Sequence, residues 1–127
     1  MTFFNTLIAQ TSDVRQELTA TPIVQACLRG EVSLESYRAF LQEAYHHVRH
    51  TVPLLKACRA ALKDAPAWML DALDEYIEEE QGHDEWVLND IAAAGGNAQV
   101  VLDGIPGAAT DIMVKYAYDM IAHRNPL

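Results

Sequence analysis

Between Lys63 and Lys115 the chain has no lysine or arginine, while twelve aspartates and glutamates fall in that window. A surface so poor in cations cannot displace counterions from phosphates, so nucleic-acid binding is disfavoured. Net charge over the 127 residues is −9, a field that attracts cations instead. Cysteine is scarce as well. Cys27 and Cys58 lie far apart and form no C-x-x-C pair, which argues against thiolate zinc and redox centres and leaves both as small buried apolar residues. No apolar run reaches the 18 or so residues of a membrane span, and no signal peptide is evident. A soluble, cytoplasmic protein without a membrane partner is therefore expected. Strand-like alternation, glycine-rich phosphate loops and internal repeats are all missing.

What remains is helical. Half the residues are apolar, enough for the single core that a chain of this length can build. The spacing predicts a helix from Phe3 to about Thr19, broken near Thr11-Ser12-Asp13. Thr21-Pro22 starts a second helix, which Gly30 stops. Ser33 caps a third that runs towards Leu62, with a kink or break between Arg49 and Val52 imposed by Pro53. A long acidic helix is expected from about Ala67 to Ala94, ended by Gly95-Gly96. Asn97 to Leu102 reads as a short helix, Gly104-Ile105-Pro106-Gly107 as a turn, and Thr110 or Asp111 as the start of a last helix ending near His123. Asn125-Pro126-Leu127 reads as the beginning of a further element. The expectation is one all-α domain over residues 1–127.

Chemistry concentrates on two stretches. At about 100° per residue, Glu80 falls inside the apolar arc of Met69, Leu73, Ile77, Val87 and Ile91. His83 lies at the edge of that arc beside Tyr76, and Asp84 also points inward. A buried carboxylate is costly unless something compensates it, and Glu-x-x-His is the spacing that dimetal carboxylate bundles use to hold metal. The plainer alternative is a glutamate bonded to a buried tyrosine, with the histidine at a helix boundary. The second stretch holds Glu43, Tyr45, His46, His47 and His50. Glu43 and His47 suit either a ligand pair or a hydrogen bond, His47 and His50 suit a pocket wall, and His46 falls on the solvent side.

The segments Phe40–Leu55 and Tyr76–Trp86 resemble the haem-oxygenase-like superfamily. They are most similar to its TenA/PqqC-like branch of iron-containing redox enzymes, the non-haem dimetal oxidases. The resemblance covers nearly the whole chain and corresponds to the N-terminal half of such enzymes. It implies a haem-oxygenase-like helical bundle in which Glu80 and His83 ligate iron, one of a dimetal pair, with Tyr45, His47 and His50 facing the substrate. Glu43, Tyr76 and Asp84 complete the candidate pocket. Members are often dimeric and use O₂ on small amino or fatty acids. No haem is expected, because no counterpart of the proximal histidine is evident. Relatives continue past an Asn-Pro into helices that carry a further Glu and a His/Asp cluster. This chain is therefore expected to be truncated and completed by homodimerisation, with Glu80 and His83 of each copy around a two-fold axis. The implied function is an iron-dependent oxidase or oxygenase of a small organic acid. The alternatives are a metal-free helical dimer with a binding or structural role, and a TenA-like thiamin-pyrimidine hydrolase using a cysteine.

Overall fold

The computed structural model describes residues 2–126 and contains nine α-helices and no strand among them. The chain divides into two compact units, residues 1–37 and 38–127. In the first, α1 (Phe3–Gln10), α2 (Ser12–Ala20) and α3 (Pro22–Arg29) follow each other with almost no connecting chain. The break before Ser12 falls where the sequence predicts it. Thr2 caps α1 through its side chain, and Arg15 of α2 donates 2.7 Å to the Ile8 carbonyl, one of the acceptors freed at the end of α1. Pro22 occupies the first turn of α3, where its missing N–H costs nothing. Gly30 ends that helix at φ 70°, with Glu31 N–H donating to Ala26 and Gly30 N–H to Cys27, the Schellman pattern.

The boundary between the units falls inside α4 (Leu34–Val48), which Ser33 opens by accepting from the Ser36 N–H. The predicted break at Arg49–Val52 is present, and α5 (Thr51–Ala61) carries Pro53 in its first turn. Then come α6 (Ala67–Glu79), α7 (His83–Ala93), α8 (Ala98–Leu102) and α9 (Ala108–His123). The core of the second unit is Leu41 and Tyr45 of α4, Ile91 of α7 and Val101 of α8, with Val87, Leu88, Ala94 and Ala98 packed against them. Polar ties fix the other helices. Arg59 of α5 makes a two-pronged ion pair with Asp74 of α6, at 3.0 and 3.1 Å. Arg38 reaches the Ala94 carbonyl at the end of α7.

One expectation fails. The acidic helix is not continuous from Ala67 to Ala94: it stops at Glu79 and restarts at His83, with Gly82 at φ 83°. That φ is the left-handed conformation, nearly free for glycine and costly for other residues. A helical phase carried from Ile77 through to His83 therefore has no meaning here. The last helix also begins two residues before Thr110. Of the final Asn-Pro-Leu segment, Leu127 lies outside the described residues. No helix among the described residues is long and apolar enough to cross a membrane.

Candidate functional site

The helix break creates the site. Glu80 is the C-terminal cap of α6 and His83 is the first residue of α7, so the turn at Gly82 folds their side chains towards each other. Nδ1 of His83 lies 2.8 Å from Oε2 of Glu80. The carboxylate is 19% exposed and the imidazole 29%. Partial burial thus holds by a local turn rather than by the helical stripe. The tyrosine partner foreseen in the plainer reading is absent, and the histidine takes its place. A neutral ring that donates Nδ1–H to the carboxylate keeps its lone pair on Nε2, on the far side of the ring; Nε2 could then hold a metal with Glu80 as its outer partner, and both side chains would ligate one ion only after that bond opens. Trp86, 62% exposed, covers one side of the ring with centroids 4.3 Å apart.

Beside the pair opens a cleft of about 260 Å³. Arg49 and Lys56 line it from the α4–α5 side, Glu80 and Asp84 from the α6–α7 side. No ion pair among the described residues joins these two groups of charges. Asp84 thus shares a wall of this cleft with Glu80.

The other candidates are distributed differently. Glu43 and His47 share a second cleft of about 310 Å³, largely apolar, with Phe40, Val48 and Met113. Glu43 is held there by α9: Gly107 N–H donates to both carboxylate oxygens, at 3.0 and 3.1 Å, and the Thr110 hydroxyl donates to Oε2. The Thr110 bond lowers the Glu43 pKa most. Burial opposes it, and the Gly107 N–H and the charge of His46 add to the lowering. His50 meets the Tyr118 hydroxyl at 3.2 Å, their rings edge to face. Burial first, then the charges of Arg49, His47 and His46, lower the pKa of His50. It stays neutral at pH 7.

Four placements require correction. Tyr45, expected on the substrate side, is packed in the core among Leu41, Ile91 and Val101, with the Arg49 guanidinium 5.5 Å over its ring. Tyr76, expected beside the site, is an exposed side chain. His46, assigned to solvent by periodicity, is instead buried. The turn at Gly104 that covers it was legible in the sequence, but its position over α4 was not. The cysteines split: Cys58 is buried and Cys27 exposed. The Cys58 thiol donates to the Pro126 carbonyl at 2.8 Å, and burial pushes its pKa up.

A metal finds a partial donor set here. Glu80 and His83 supply a carboxylate and an imidazole, the mixed set that iron, manganese and zinc accept. No group of three or more His, Cys, Asp or Glu able to hold an ion occurs among the described residues. These two residues alone do not make up a metal site among the described residues.

The chain is similar to a crystal structure of a domain of unknown function with a haem oxygenase-like fold from Shewanella denitrificans OS217, at 27% identity and a TM-score of 0.85. The match covers 99% of this chain and 55% of the other, so the chain spans about half the length of that relative. No family model and no curated protein matches it. The fold is haem oxygenase-like, and the likeness supports that superfamily.

Proposed function

We propose that this chain is the metal-holding part of a non-haem iron oxidoreductase of the TenA/PqqC-like kind, acting in the cytoplasm on a small organic acid with O₂. The observation that carries the reading is the Glu80–His83 pair, turned together at the Gly82 break, with Glu80 on the wall of a charged cleft. Iron on a carboxylate and an imidazole, with open positions, supplies oxygen-dependent oxidation when bound. The chain's own residues bind and orient. Arg49 and Lys56 attract the carboxylate of the acid electrostatically and hold it on their own wall of the cleft, away from Glu80 and Asp84. His50, held in one orientation by Tyr118, is not among the residues that line this cleft. Pro53 and Val52 give that cleft an apolar edge. A second copy of the chain supplies the missing ligands, forming a homodimer, and the dimetal pair forms between the two.

Metal analysis of protein purified from iron-supplemented cells tests this. Bound iron or manganese, lost in Glu80→Ala and in His83→Ala, is the expected result. Protein that carries no metal, and is indifferent to both substitutions, overturns it.

A metal-free helical dimer with a binding or structural role is the second reading. It is favoured by the direct Glu80–His83 bond, which already satisfies the carboxylate, and by Ile112, Met113 and Tyr116, which leave one face of α9 apolar and exposed. The TenA-like hydrolase has less support. A nucleophilic thiol needs a lowered pKa, and burial moves Cys58 the other way.

A further inference from the structure

His46 is the only buried polar residue among the described residues, at 5% exposed. Its ring meets that of Tyr45 edge-on, and no hydrogen bond among the described residues uses either ring nitrogen. Sealed from water without a partner, such a group would cost about 1–3 kcal/mol. No side-chain nitrogen or oxygen among the described residues is both sealed from solvent and unpaired, so the ring nitrogens of His46 still reach open space. That space is a cleft of about 180 Å³, separate from the one beside Glu80. Gln42, Glu43 and His46 line it from α4; Val100, Gly104 and Ile105 line it from α8 and the following turn. Gly104 keeps it open: a Cβ there would stand 3.7 Å from Nε2 of His46 and 3.0 Å from the Val100 carbonyl oxygen.

The chemistry of the walls selects the ligand. Glu43 is ionised, and the imidazole and the Gln42 amide offer further acceptors. An anion is repelled. A metal ion is a poor fit, since ligand atoms must converge within about 2.0–2.2 Å of it. Glu43 and His46 form no ion pair, and the Glu43 oxygens already accept from Gly107 and Thr110. We propose that this cleft binds a small primary amine in its ammonium form, whose N–H groups donate to His46 and Glu43 while its alkyl part lies on Val100 and Ile105. The site is independent of Glu80 and His83.

Titration with n-butylammonium chloride, followed through the backbone amide resonances of residues 104 and 105 at the cleft wall, tests the proposal. Sodium butanoate and zinc chloride are the comparison probes. The expected result is a saturable shift with the amine alone. Binding weakens at least tenfold in His46→Phe, which removes the acceptor, and in Gly104→Ala, which fills the cleft. Gly104 is not in the left-handed region, so the strain on alanine there is limited to the close approach of its Cβ to the Val100 and Val101 carbonyl oxygens, at 3.0 and 3.3 Å. Should His46→Phe fail to fold, the Gly104→Ala result decides alone. No saturation with the amine, an equal response to butanoate or zinc, or full binding by the variants overturns the assignment.

Discussion

Glu43 and Glu80 each precede a histidine by three residues, yet the fold uses them in opposite ways. Glu43 is occupied from outside its helix, by the Gly107 N–H and the Thr110 hydroxyl at the start of α9. A carboxylate at a helix N-terminus also gains from the macrodipole. Among the described residues the Glu80 carboxylate accepts only from His83, its neighbour across a turn, and it lines a cleft. The same spacing therefore yields a structural latch in one place and an uncommitted donor pair in the other. What separates them is how many hydrogen bonds the rest of the molecule directs at the carboxylate. A carboxylate that takes several donors from another helix holds helices together, and one with a single donor keeps most of its lone pairs open to a cation.

Removing each carboxylate sharpens that contrast. Glu43→Ala is expected to have the largest effect, about 2–3 kcal/mol of lost stability in urea unfolding, because it breaks charged hydrogen bonds and leaves the α9 donors unpaired. Equal stability in wild type and variant would remove the latch from the account. Gly82→Ala comes next. A Cβ there meets no atom within 4 Å, but φ 83° is strained for alanine and is expected to cost about 1–2 kcal/mol. The same substitution favours a straight α6–α7 helix and so separates Glu80 from His83, which the His83 ring resonances would report. Glu80→Gln is expected to change stability least, by less than about 1 kcal/mol, while abolishing metal uptake.

Acid should act on the two regions in sequence. The pKa of His50 is lowered in the folded chain, so the unfolded chain binds more protons and stability falls once the pH drops below the ordinary histidine value near 6.5. Glu43 is also lowered, so its contribution persists above the ordinary glutamate range and is lost only as the pH falls through its depressed folded value. Melting temperature plotted against pH is thus expected to decline in an early step, absent in His50→Phe, and a later step, absent in Glu43→Gln. A single step untouched by either substitution would contradict this order.

The helix boundaries were legible because their causes are local. Ser33, Pro22, Gly30 and Pro53 act within a few residues of themselves, and the structure places them where the sequence does. The Gly82 break was equally local but was overridden by an apolar periodicity that runs across it. Long-range relations were not legible. Nothing near Glu43 announces that Gly107 and Thr110 will reach it, and nothing near His46 announces the Gly104 turn above it. Tyr45 was misplaced for the same reason. Its face of α4 turns to Ile91 and Val101, two elements whose packing no helical wheel supplies. Glu80 and His83 were found by their spacing, although a turn and not a stripe brings them together.

Trp86 offers the most direct test, because its ring lies against that of His83. In a Trp68→Phe background, which leaves Trp86 as the sole tryptophan, a paramagnetic ion such as Mn²⁺ bound at the pair should quench its emission saturably. Glu80→Gln and His83→Ala should each abolish that response. Emission that ignores the ion, or quenching that survives both substitutions, would show that no metal binds there and that the pair is only a helix-end hydrogen bond.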